Sequence, residues 1–144
     1  MKIFRVLAVF LPGLFASAQV FADLVVEDAW VRGLPPGVPN VSAYMTLINT
    51  GSEDLVLTGA SSPIAGSVTL HGTMNHDGML HMTTLATVTI PAGGELKLES
   101  GAIHLMLMEL KETPTPGTDV ELMLEFTDGQ RHPLQLPVRS VLDE

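Results

Sequence analysis

Imidazole and thioether side chains gather at two places in this 144-residue chain. Residues 71–82 read His-Gly-Thr-Met-Asn-His-Asp-Gly-Met-Leu-His-Met, three His and three Met within twelve positions. A second cluster follows at His104-Leu105-Met106-Leu107-Met108. Thioether is a soft, neutral ligand that selects Cu(I), and imidazole suits copper and zinc. Hard cations would ask for carboxylates and carbonyls, and structural zinc for thiolate and imidazole. The chain has no Cys, which excludes disulfides, thiolate sites, cysteine nucleophiles and a blue-copper centre. The His/Met set therefore points to an exchangeable Cu(I) site. A bland alternative stands beside it: Met fills cores, and a His-bearing hairpin can be a solvated loop. Two clusters together favour the metal reading over packing.

The elements that must position these residues are short strands. Gly and Pro punctuate alternating or β-branched runs at Leu24–Arg32, Ser42–Asn49, Leu55–Ala60, Ser67–His71, Leu80–Ile90, Glu95–Glu99, Ile103–Leu110, Asp119–Phe126 and Gln130–Val138. No stretch has the period of a long amphipathic helix. The pattern predicts an all-β, antiparallel two-sheet sandwich of one domain. Residues two apart on a strand share a face, so His104 and Met106 project together while Leu105 and Leu107 point into the core. Asp77-Gly78 is a hairpin turn signal that folds His71 back toward Met82. The two clusters then converge at one rim of the sandwich, with the hairpin register left open.

Other residues read more simply. Trp30 is a packing residue rather than a cation–π partner of a metal. Tyr44 and Met45 belong to a core strand, Met123 to the core, and His132 to the surface beside Pro133. Met108 shares the parity of His104 and Met106, with packing as its default role.

The first residues read as an address. Lys2 and Arg5 precede an apolar stretch from Ile3 to Phe15, followed by small residues, the pattern of a cleaved secretory signal. Cleavage after Ala18 competes with cleavage after Ala22. The second is preferred, since Asp23 then opens the first strand-like run. This divides the chain into a signal peptide, 1–22, and a single domain, 23–144. With no Cys there is no lipobox, so no lipid anchor is expected. Export points to a bacterial periplasm. The composition is 46% apolar and 16% charged, enough to bury a core. Asp+Glu outnumber Lys+Arg by 16 to 7, a formal charge of −9 that argues against nucleic acid and anionic membrane as partners.

At the two clusters the sequence resembles the periplasmic copper chaperone family PCu(A)C. The family's metal motif is H-x10-M-x21-H-x-M, and His71, Met82, His104 and Met106 meet every spacing. The similarity extends over Asp28-Ala29-Trp30-Val31-Arg32, Pro35-Pro36-Gly37, Ala43-Tyr44-Met45, Asn49, Ile90-Pro91-Ala92-Gly93-Gly94, Gly101–Leu107 and Phe126–Gly129. The resemblance implies a cupredoxin-like Greek-key sandwich. It implies Cu(I) held by two His and two Met, with Ag(I) as a mimic and Cu(II) as a further option. It also implies delivery of copper to the CuA centre of cytochrome c oxidase, often alongside Sco-type proteins. Storage or tolerance without a dedicated acceptor is the alternative. The His- and Met-rich C-terminal tail of some members is absent from Val138–Glu144. Conversely, Met74, His76, Met79 and His81 are extra soft groups, either an accessory site, an entry path or solvated loop residues.

Three rivals are weaker. A metal-dependent enzyme would need a base near the metal, and the two clusters contain only Asp77. Blue-copper electron transfer would need a Cys. A purely structural sandwich would leave the fourfold spacing without a reason.

Overall fold

The computed structural model describes residues 18–140. Its elements are strands: β1 (Gln19–Phe21), β2 (Leu24–Gly33), β3 (Val41–Asn49), β4 (Leu55–Ser61), β5 (Ala65–His76), β6 (Met79–Leu85), β7 (Val88–Ile90), β8 (Glu95–Leu98), β9 (His104–Leu110), β10 (Asp119–Phe126) and β11 (Arg131–Ser140). Among the described residues no helix is long and apolar enough to cross a membrane.

The strand order β2-β11-β10-β4-β5-β9-β3 closes on itself, because β3 also pairs with β2. The two sheets expected from the sequence are thus joined into a flattened barrel. Pairing is antiparallel as expected, except at one seam. There β11 runs parallel to β2, Val138 beside Val31 and Ser140 beside Gly33. Non-local pairings of this kind leave no trace in local sequence pattern. Three strands attach to the ring: β6 to β5, β7 to β4 and β8 to β3.

The core is aliphatic. Leu24, Val26, Val31, Leu47, Leu57, Leu105, Leu107, Leu124, Leu134 and Leu136 are fully buried within it. Alternation puts them on the inner face of the ring strands, where Leu70 of β5 joins them. One buried polar group is fully used: Asn49 donates through Nδ2 to the Glu53 and Ile90 carbonyls at 2.7 and 3.0 Å and accepts from the Gly51 amide at 3.0 Å. It pins the turn after β3 to β7, without leaving an unpaired dipole in the interior.

Two backbone devices aim side chains. Asp28 takes a left-handed φ of 51° and sits where the β2–β3 register shifts between Glu27 and Trp30.

 The Asp28 bulge inserts a residue and reverses the alternation. Val26 and Val31 therefore both face the core, and Trp30 is turned outward. At the other device, Asp77 and Gly78 both take positive φ, 53° and 78°, the signature of a tight two-residue hairpin turn. Gly78 supplies that conformation without a Cβ penalty. The turn joins β5 to β6 as a ribbon that continues past the end of β9.

Candidate metal centre

β9 reads as its alternation requires. Leu105 and Leu107 are fully buried, while His104, Met106 and Met108 lie on the outer face. On β5, Val68 and Leu70 enter the core and Thr69 and His71 share the outer face. The β5–β9 register sets His71 opposite His104, Thr69 opposite Met106 and Ser67 opposite Met108. The hairpin register sets His71 opposite Thr84 and Thr73 opposite Met82.

His71 is therefore the hub of the arrangement. It faces His104 directly, with ring centroids 5.9 Å apart and planes 61° from parallel. It is the diagonal neighbour of Met106 across β9 and of Met82 across β6, positions roughly 7–8 Å apart between backbones in an antiparallel pair. All four residues singled out by spacing lie on one face, where the ribbon leaves the barrel end. They differ in exposure: His104 is 7% exposed and Met82 57%. Three stand on the barrel and the fourth on the projecting ribbon.

Hydrogen bonds set the imidazoles. His104 Nδ1 donates to the Ala102 carbonyl at 2.9 Å, which leaves the Nε2 lone pair free. His71 Nε2 lies 2.8 Å from Thr69 Oγ1, and that hydroxyl donates to Met108 Sδ at 3.5 Å. With its proton on the sulfur, the hydroxyl accepts from His71 Nε2–H, and the Nδ1 of His71 carries the lone pair. That Nδ1 is buried and has no hydrogen-bond partner. Buried polar nitrogens are ordinarily paired, so an orphan of this kind calls for a ligand. Burial, and then the neighbouring His104, lower the pKa of His71 and favour the neutral, ligating form. Ser42 Oγ donates to Met106 Sδ at 3.9 Å.

The donor set is soft and uncharged. Among the described residues, no three His, Cys, Asp or Glu side chains cluster so as to hold a metal. An ion here would take thioethers as well as imidazoles, a set suited to Cu(I) or Ag(I) rather than to hard dications.

Of the neighbours, Tyr44 and His132 differ from their sequence reading. Tyr44 is buried as expected, but on the outer face, between Trp30 and His104, with centroids 4.9 and 6.5 Å away. Trp30 carries the Arg139 guanidinium 5.4 Å above its ring, a cation–π contact with a side chain. His132 is half-buried rather than on the surface, packed against Phe21 and Phe126 at 4.4 and 5.4 Å. Met45 is core. Thr69 was missed. Its parity with His71 was legible, but its place opposite Met106 depends on the β5–β9 register.

Residues 24–138 match the family model described as "Putative lipoprotein LpqE-like". A protein of Leifsonia xyli subsp. xyli named "Putative lipoprotein Lxx21020" is 36% identical over 135 residues, 92% of this chain and 80% of its own. Among solved structures, CuI-DR1885 from Deinococcus radiodurans is 35% identical with a TM-score of 0.66, covering 86% of this chain and 81% of that one. The copper-bound PCuAC domain from PmoF2 is 18% identical with a TM-score of 0.74, over 86% and 98%, which shows a shared fold. The chain shares the fold of the PCuAC domains and belongs to the LpqE-like family.

Proposed function

We propose that this protein is an exported copper chaperone that carries Cu(I) on His71, Met82, His104 and Met106 and releases it to a cuproprotein acceptor. The observation that carries the reading is the unpartnered, buried Nδ1 of His71, opposite His104 and flanked by two thioether positions. The solved relative CuI-DR1885 supports the choice of ion.

The residues divide the work. His104 is fixed by the Ala102 carbonyl and His71 by Thr69, so little side-chain freedom is lost at these two when an ion binds. Met106 is half-buried against Ser42. Met82 is the exposed member, on a ribbon that pairs only with β5. It is the ligand an acceptor can replace first, while the three barrel residues keep hold of the ion. Transfer then runs through a shared-ligand intermediate and needs no catalytic base. The resemblance in the motif supports the CuA centre of cytochrome c oxidase as acceptor and a Sco-type protein as companion, in the periplasm.

The test is anaerobic competition with a chromophoric Cu(I) chelator, followed by transfer to a purified CuA domain. His104→Asn or Met106→Ile should abolish chelator competition while the fold is retained by circular dichroism. Undiminished Cu(I) affinity in both variants would overturn the proposed site. Tight binding without transfer would leave a storage role and remove the oxidase acceptor.

A further inference from the structure

The hairpin that carries Met82 has a second face. β5 and β6 pair with His76 opposite Met79, Met74 opposite His81, and Thr73 opposite Met82. Successive residues alternate between faces. Positions 74, 76, 79 and 81 therefore share one face of the ribbon, and Met82 belongs to the other. Two adjacent cross-strand pairs each set an imidazole residue opposite a thioether residue. Backbones of opposed residues stand about 4.5–5.5 Å apart. Successive same-face pairs are roughly 6.7 Å apart along the strand. The register thus sets two imidazole and two thioether residues at the corners of one patch of the ribbon.

Packing does not account for Met79 and His81. Inside the barrel the same parity buries Leu70, but the ribbon has run past the barrel end, and β6 pairs only with β5. Met79 is 63% exposed, and His81 is exposed as well. A thioether held in water fills no core. The two-residue turn at Asp77-Gly78 locks the register, so the pairing of the four residues is dictated by the fold.

We infer that Met74, His76, Met79 and His81 form a second site for a monovalent soft cation, Cu(I) or Ag(I), on the reverse face of the hairpin. It is weaker than the barrel site, because it stands on a two-stranded ribbon, which loses more freedom on binding. His81 is the chain neighbour of Met82, so an ion held here sits one residue from a ligand of the barrel site. The site is a loading station for the first. This role as a loading station rests on the carrier reading; the second site itself does not.

The test is Ag(I) titration of the full exported protein, read by native mass spectrometry and by the Met methyl signals in 1H–13C spectra. The wild type should take up two ions, the Met79 methyl shifting with the weaker one. Met79→Ile/His81→Asn should lose the weaker ion and keep the tighter. His104→Asn/Met106→Ile should do the reverse. A wild type that binds one ion with an unmoved Met79 methyl overturns the inference, as does a Met79→Ile/His81→Asn variant that still binds two. Loss of the carrier reading would look different: His104→Asn/Met106→Ile would keep the tighter ion.

Discussion

His71 and His104 stand directly opposite each other on β5 and β9, and their two free lone pairs come from different ring nitrogens. His71 offers Nδ1 and His104 offers Nε2. Replacing either with Asn should weaken Cu(I) binding at least about a hundredfold, beyond the range usual for loss of a supporting contact. Chelator competition measures this. A loss under threefold in both variants would mean that the pair is structural.

Thr69 is a positioning residue in this scheme. Thr69→Val should cost about 10–100-fold in Cu(I) affinity, as removal of a partner behind a ligating His typically does. Thr69→Ser should restore it. Long-range 1H–15N spectra of the metal-free protein should show the His71 tautomer mixed in the valine variant and fixed in the serine variant.

Exposure separates the two thioethers. Met82→Leu should leave unfolding stability within about 0.5 kcal/mol, as surface changes do, while weakening Cu(I) binding. Leu105→Ala, by contrast, empties a fully buried site and should cost about 2–5 kcal/mol. Denaturant unfolding of the metal-free proteins distinguishes these outcomes.

Acid should destabilise the metal-free protein. Burial lowers the pKa of His71, with His104 adding to it, and burial lowers that of His132 against a smaller opposing effect of Asp128. In the unfolded chain both return to about 6.5. The unfolded state then binds more protons as pH falls, so this stability is full above that value and is lost below it, toward the folded pKa values. The thermal midpoint should drop on going from about pH 7.5 to about pH 5. A His71→Asn/His132→Asn variant should show a shallower drop.

The strand β1 bears on where the leader expected from the sequence would end. Gln19 exchanges two side-chain bonds with the Gln135 backbone, at 3.0 and 3.1 Å, and Phe21 covers His132. Cleavage after Ala18 would preserve these contacts, and cleavage after Ala22 would remove them. The intact mass of the exported protein is expected to correspond to a chain beginning at Gln19.

Much of this was legible in the residues. The HLMLM run has only one parity that buries its leucines, and Asp77-Gly78 demands a tight turn. Once that turn has two residues, Thr73 must face Met82. The opposition of His71 and His104 was not legible, because it joins strands far apart in sequence through a register that only the folded barrel sets. Tyr44 was read as part of a core strand because its neighbours Ala43 and Met45 are core. Its burial comes instead from Trp30 on the adjacent strand. The Arg131–Glu125 ion pair at 2.7 Å is exposed, and nothing in the site depends on it.

The bulge at Asp28 has an optical consequence. By turning Trp30 outward, it puts the chain's single indole in line with Tyr44 and then the His104 imidazole across neighbouring strands. Emission from that indole can be assigned to one place without labelling. Quenching on addition of a heavy monovalent ion would report occupancy of the barrel end in the unmodified protein.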